Sequence, residues 1–523
     1  MKNKILGFIA LGLGIIGLAS CAGNSNTDEG AIESIPTTTN VEENKEIELS
    51  SLDYDFEKEF FYDDYNTRSI ADDTRQGIKT FESKDNIVFD AVTYEELISI
   101  FESEGNYLIL FGGSWCHNTR AAIPFINEYA NEYDIDTIYS FDFYLDGTNS
   151  STHIRNTNQT DLSKVTPGVE YNYLYGELVR KYLTNLTDYV EYKTGTQSSL
   201  TFTDKENIEV NVAKLQVPFL FLYNKDNTRD NKVGGGTPNS KGTYPIVYGF
   251  EEMIDLDENG VYQYSRNVDK KDRQYFTNEY KQRLKGIFDY IKDNNLTISK
   301  YGDDKYIRNL YNSKSSSQIF VETDKINLQV ITYRQLIWLL ERKGNSIILL
   351  GGTWCGNTQA SIKTINEYAV KNNVKIYNFD TKLDSGYAKK YWGYQNDLHI
   401  RDTANSFVRL YTDLVEKYLT NLVTLYDVNA SESYKHIEYT NESNQVVKIK
   451  KLQVPYLLSY NKDAIDRDGD KAPITSYYEE MLSLDSTKSD YVYSETNYNS
   501  IKTNTFNVID TYLRRVNKAA QNI

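Results

Sequence analysis

Residues 106–129 read NYLILFGGSWCHNTRAAIPFINEY, and residues 345–368 read NSIILLGGTWCGNTQASIKTINEY. Each copy holds an apolar run of strand length, a Gly-Gly step, Trp-Cys, and then apolar residues at helical spacing. This pattern predicts a buried strand that turns into a helix, with Cys116 and Cys355 at the helix start. The first N–H groups of a helix lack partners inside it and the helix dipole favours negative charge there. A cysteine at that point is expected to ionise more readily than a free thiol.

Working outward, the two copies continue to match. VTYEELISIFES (92–103) answers ITYRQLIWLLER (331–342), an amphipathic helix before each Trp-Cys strand. IYSFDFYLD (138–146) answers IYNFDTKLD (376–384), LVRKYLTNL (178–186) answers LVEKYLTNL (414–422), and KLQVPFLFLYNKD (214–226) answers KLQVPYLLSYNKD (451–463). FEEMIDLD (250–257) answers YEEMLSLD (478–485), and a terminal helix closes each copy. The cysteines stand 239 residues apart and the Val-Pro prolines 237, so a whole domain is duplicated. Strands alternating with helices predict a layered α/β fold with part of each sheet parallel.

The Trp-Cys at a helix start, the helix that follows and the downstream Val-Pro resemble the thioredoxin superfamily. Pro124 stands where that family kinks its active-site helix, whereas the second copy has Lys363. The resemblance implies an α/β fold of two tandem thioredoxin-like three-layer domains, with an enlarged insertion before the cis-Pro strand. The implied domains cover 83–300 and 317–521, separated by a polar linker near 295–317. Val217-Pro218 and Val454-Pro455 would be the cis-prolines that hold substrate backbone, and Trp115 and Trp354 would shape the site. The departure lies in the motif itself. Family oxidoreductases carry Cys-x-x-Cys; here the motifs end in Thr119 and Thr358. Threonine resolves no mixed disulfide, but its hydroxyl can donate a hydrogen bond to a thiolate one helical turn away.

Around these cores lie further candidates. His153 with Arg155, and His399 with Arg401, follow the second strand of each copy, as a base and an anion clamp or thiolate stabiliser. The bland reading of each pair is a surface loop. His117 follows its cysteine, but Gly356 replaces it in the second copy. Asp255-Leu-Asp257-Glu-Asn259-Gly260 begins like a calcium loop but has Arg266 where the bidentate acid belongs, so it reads as a turn. Neither metal-ligand spacing nor a phosphate-binding glycine loop appears, and no metal or cofactor is expected.

The N-terminus supplies an address. Lys2 and Lys4 precede an apolar stretch, 5–18, and Leu18-Ala19-Ser20-Cys21 follows. This resembles the lipobox of bacterial lipoproteins, which implies a signal peptide over 1–20 and lipid on Cys21. Residues 21–80 then read as a disordered acidic tether, in which FEKEFFYDDY (56–65) is either a short helix or a docking segment. With Cys21 lipidated, the two remaining cysteines both sit at Trp-Cys sites and leave no structural disulfide. The net charge of −17 disfavours nucleic acid as a partner.

The function expected from these features is monothiol chemistry outside the cytoplasm. The chain would be held to the cell membrane by its lipid and act on disulfides or oxidised thiols of exported proteins or peptides. An external thiol reductant would complete the cycle. The alternative is a non-catalytic lipoprotein that binds peptide or protein through degenerate thioredoxin folds.

Overall fold

The computed structural model describes residues 55–67, 78–147, 153–155, 172–186, 199–203, 209–230, 238–257, 259–264, 273–315, 318–384, 398–403, 407–429, 431, 435–441, 443–481 and 495–520. The signal-peptide and lipobox readings, Cys21 and the tether up to residue 54 lie outside them. The chain is α/β, with two mixed sheets flanked by helices, an arrangement consistent with a thioredoxin-like fold.

The first sheet begins with β1 (Phe89–Ala91), preceded by helix α1 (Phe56–Thr67) and followed by α2 (Tyr94–Glu102). Thr93 starts α2 with a capping box: its hydroxyl accepts from Glu96 N–H while the Glu96 side chain accepts from Thr93 N–H. Next come β2 (Tyr107–Phe111), α3 (His117–Glu132), β3 (Ile138–Phe141) and α4 (Asn172–Glu177). A hairpin, β4 (Ser199–Thr203) with β5 (Glu209–Ala213), precedes β6 (Phe219–Tyr223) and β7 (Ile246–Phe250). The pair β8 (Ile254–Leu256) and β9 (Tyr262–Tyr264) leads to α5 (Arg273–Asp293). Sheet order is β1-β3-β2-β6-β7, with β1 and β2 parallel to β3 and with β6 antiparallel to β2 and β7. Every residue of β2 is buried, as expected of a central strand covered on both faces.

The second copy repeats this order. After α6 (Asp303–Lys314) come β10 (Leu328–Val330), α7 (Tyr333–Glu341), β11 (Ser346–Leu350), α8 (Gly356–Lys371), β12 (Ile376–Phe379) and α9 (Val408–Asp413). They are followed by the hairpin β13 (His436–Thr440) and β14 (Val446–Lys450), then β15 (Tyr456–Tyr460), β16 (Ile474–Glu479) and α10 (Glu495–Ala520). Its sheet runs β10-β12-β11-β15-β16. Asn185 and Asn421, from the matching KYLTNL segments, cap the two edge strands: each side chain bonds both N–H and C=O of Ile246 or Ile474 at 2.8–3.0 Å.

Two stretches differ from the sequence-based expectation. The 56–65 segment, read as a short helix or a docking segment within the tether, is the helix α1, and it is packed, with Phe56, Phe60, Phe61 and Tyr65 buried at 2–4% exposure. The 295–317 stretch, read as linker, contains α6. Both helices belong to the repeat. Asn66 accepts from the N–H groups of Thr80 and Phe81 and donates to Phe81 C=O; Asn312 does the same with Ile319 and Phe320. Each helix also crosses to the other copy. Glu57 of α1 accepts from Gln329 and Gln335, Asp63 from Trp338, and Asp64 pairs with Arg334 at 2.6 Å. In the opposite sense, Lys314 of α6 pairs with Glu95 of α2 at 2.5 Å.

Candidate thiol sites

Cys116 and Cys355 are the N-cap residues of α3 and α8, with extended backbone (φ −89° and −91°) and no side-chain cap. Both are free thiols, 6% and 8% exposed. Each Sγ–H donates to the carbonyl that precedes the facing proline: Cys116 to Val217 O at 3.6 Å, Cys355 to Val454 O at 3.4 Å. The Val217–Pro218 and Val454–Pro455 peptide bonds are cis. Val217, Pro218, Val454 and Pro455 are themselves buried.

The Gly-Gly step makes room for the rest of the motif. A Cβ on Gly112 would sit 2.7 Å from Thr119 Cγ2, and one on Gly351 3.1 Å from Thr358 Cγ2. A Cβ on Gly113 or Gly352 would collide with the indole nitrogen of Trp115 or Trp354 and with a carboxylate beyond it. Those carboxylates are Asp142 and Asp380, which accept from the two indole N–H groups at 2.7 and 2.8 Å. Asp142 Oδ1 also accepts from Tyr144 N–H, and Asp380 Oδ1 from Lys382 N–H. Above the indoles the copies diverge: Tyr144 stacks on Trp115 at 4.0 Å, whereas Lys382 Nζ lies 3.9 Å over Trp354.

Burial pushes the Cys116 thiol up from its ordinary value. The Thr119 hydroxyl, the N–H groups of Thr119 and Asn118, and the Arg155 charge act against burial without overcoming it. The ready ionisation expected from the helix start alone therefore does not hold at Cys116. The hydroxyls of Thr119 and Thr358 are buried and have no hydrogen-bond partner among the described residues.

Arg155 and Arg401 do approach the sites. Arg155 Nη1 donates to Leu215 O and Arg401 Nη1 to Leu452 O, just ahead of each Val-Pro. Arg155 is 8% exposed, its Nε has no partner, and no described carboxylate forms an ion pair with it. Burial works against the base role expected of the histidines. Burial, then Arg155 and Lys214, drive His153 down to about 2. Burial, then Arg401, Lys382 and Lys451, drive His399 well below its ordinary value. Both stay neutral and are weak proton acceptors. His153 packs 5.5 Å from the Trp115 ring, and His399 accepts from Arg401 Nε at 3.1 Å. His117 points elsewhere, 3.0 Å from Asp255 at the surface.

Residues missed in the sequence hold the Val-Pro segment in place. Tyr175 OH donates to Ala213 O and accepts from Leu215 N–H; Tyr411 OH does the same with Lys450 and Leu452. Glu251 accepts from Gln216 N–H, and Glu479 from Gln453 N–H at 2.7 Å. Asp142, Tyr175 and Glu251 each recur in the second copy as Asp380, Tyr411 and Glu479. That recurrence is the signal by which they were open to discovery.

No protein-family model and no curated protein matches the chain. Among solved structures, ERdj5 form II matches at 10% identity and TM-score 0.15, over 82% of this chain and 30% of that one. ERdj5 form I matches at 8% identity and TM-score 0.14, over 82% and 72%, and full-length ERdj5 at 12% identity and TM-score 0.11, over 60% and 40%. The chain thus spans less than a third of the length of the first of these structures.

Proposed function

We propose that this chain is a lipid-anchored protein of the outer face of the bacterial membrane, built from two thioredoxin-like domains with an enlarged insertion. In this reading Cys116 and Cys355 act singly in thiol–disulfide exchange with exported proteins. The observation that carries it is Arg155: a buried guanidinium over the Phe143 ring that hydrogen-bonds a neutral carbonyl, forms no ion pair among the described residues, and is near enough to Cys116 to oppose the effect of burial. A buried charge without an ion-pair partner is costly, and a thiolate on Cys116 adds to the counter-charge that Glu251 supplies from a distance. Thr119 adds a hydroxyl with nothing else to bond.

The chemistry is an exchange without net oxidation of the protein. The thiolate attacks one sulfur of R–S–S–R′, forms a protein–S–S–R bond and releases R′S⁻. An external thiolate R″S⁻ then attacks the R sulfur, giving R–S–S–R″ and regenerating the protein thiolate. Because burial holds Cys116 in the thiol form, substrate must displace the Val217 carbonyl contact before attack. The test is formation of a mixed disulfide with an aromatic disulfide reagent, followed by intact mass, in chains carrying Cys116→Ser or Cys355→Ser. Stoichiometric adduct at the remaining cysteine supports exchange. Absence of adduct at both sites in the folded chain sinks it.

The second reading, a non-catalytic peptide binder, draws on the burial of the Val-Pro segments and the raised Cys116 thiol. A pure binder keeps its partner after both Cys→Ser changes.

A further inference from the structure

Beyond Cys355, the insertion of the second copy borders a cleft of about 600 Å³ between the 401–403 loop and the β13–β14 hairpin. Its walls are Arg401, Asp402, Thr403, His436, Ile437, Glu438, Lys448 and Lys451. That volume lies in the range of ordinary ligand sites. Lys448 and Glu438 face each other across the hairpin at 3.0 Å and cancel. Arg401 is different. Its Nε donates to His399 Nε2 and its Nη1 to Leu452 O, both neutral, and no described carboxylate forms an ion pair with it. Glu479, which acts on it from a distance, spends its oxygens on the N–H groups of Gln453 and Leu425. An incompletely compensated guanidinium thus lines an open cleft, with Lys451 beside it and Cys355 within reach of its charge.

The first copy keeps the arginine and lysine, as Arg155 and Lys214, but Arg155 is buried and the hairpin differs. Where β13 and β14 pair His436 with Lys450 and Glu438 with Lys448, β4 and β5 pair Ser199 with Ala213 and Thr201 with Asn211 in the same register.

We infer that this cleft recognises a carboxylate, and that it holds an acidic side chain of the polypeptide whose disulfide is presented to Cys355. The second half of this inference rests on the exchange reading above; carboxylate recognition does not. A planar guanidinium matches a carboxylate in a two-point contact, and Arg401 supplies it here; of the other lining charges, Lys448 offsets Glu438 and Lys451 offsets Asp402 in sign.

The test uses the full chain with Cys116→Ser and two fluorescein-labelled, cysteine-free peptides that differ only in Glu against Gln at two positions. Fluorescence anisotropy should show the Glu peptide bound about fivefold tighter, the worth of one charge-assisted contact at a partly exposed site. The preference should vanish in Arg401→Gln, with folding checked by Tm, and weaken with added salt. Equal binding of the two peptides, or a Glu preference that survives Arg401→Gln and high salt, overturns the inference. The same peptides carrying an activated cysteine disulfide separate the two readings. Exchange at Cys355 without charge preference leaves the thiol chemistry standing and removes the cleft. A Glu preference in binding with no adduct at Cys355 retires the exchange reading and leaves carboxylate recognition in place. A Glu preference in exchange at Cys355 supports both.

Discussion

Cys116 Sγ lies 3.6 Å from the carbonyl oxygen of Val217, and the same contact recurs at 3.4 Å between Cys355 and Val454. The thiol thus donates to the very segment that the exchange proposal assigns to substrate backbone. While that contact stands the sulfur is protonated and covered. The groups that favour its ionisation, Thr119 and Arg155, wait behind it.

Replacing Arg155 with Met should separate the charge from the fold. The guanidinium favours ionisation of Cys116, so its loss should slow alkylation of Cys116 at neutral pH by about tenfold. Cys355, which has its own Arg401, should react at an unchanged rate. The change also removes the donor to Leu215 O, at a stability cost of about 1–3 kcal/mol. Alkylation of each cysteine followed by peptide mass spectrometry reads the outcome; equal slowing at both sites would point to a general loosening.

The α1 helix should behave as core. Phe60 is 4% exposed and touches Phe61 of its own helix and Trp338 of the other copy, with ring centroids 5.4 and 5.7 Å apart. Phe60→Ala should cost about 3–5 kcal/mol, and in chemical denaturation both copies should lose stability together. A variant that destabilises only one of two separate transitions would show that α1 does not join them.

How far these features were open to reading in the sequence depends on how local their causes are. The strand–Gly-Gly–Trp-Cys–helix unit and the Val-Pro strand are set by short-range patterning, and both were legible. The place of α1 was not. Its acidic residues resemble a solvated tether, yet Glu57, Asp63 and Asp64 spend their carboxyl oxygens on residues some 270 positions away. The repeat is also masked there. Asn66 bonds across 14–15 residues and Asn312 across 7–8, so the two copies fall out of register just where the helix ends. Spacing also carries no information on burial, and burial decides whether His153 holds a proton.

Stability should fall as pH rises through neutrality. Burial raises Asp90, Asp380 and Glu479 to about 7 and Asp303 to about 6, each above its unfolded value. A carboxyl with a raised folded pKa contributes stability that is fully present below its unfolded pKa and lost as pH passes the folded one. The neutral histidines act in the opposite direction, but only below their unfolded value of about 6.5. Between about pH 6.5 and 8 the carboxyls act alone, so Tm should decline across that window. Asp380→Asn, which keeps an acceptor for the Trp354 indole, should flatten the decline. A Tm that climbs from pH 6.5 to 8 would contradict the burial of these groups.

The two glycines that face the threonines offer an internal control, since one substitution meets the same partner at two spacings. A Cβ at Gly112 falls 2.7 Å from Thr119 Cγ2 and 2.8 Å from its hydroxyl, distances that force the threonine or the helix start to move. At Gly351 the corresponding distances to Thr358 are 3.1 and 3.2 Å, which a shift of a few tenths of an ångström relieves. Thr119 and Thr358 are each fully buried, so the displacement at Gly112 has no open space to enter. Gly112→Ala should therefore cost about 1–3 kcal/mol, the usual range for overpacking, and Gly351→Ala distinctly less. Because Thr119 is also the hydroxyl that favours ionisation of Cys116, Gly112→Ala should slow alkylation of that cysteine as well. Tm and the alkylation rate measured on both variants decide it: equal effects at the two positions would mean that the motifs relax alike, and the difference in spacing would then carry no consequence.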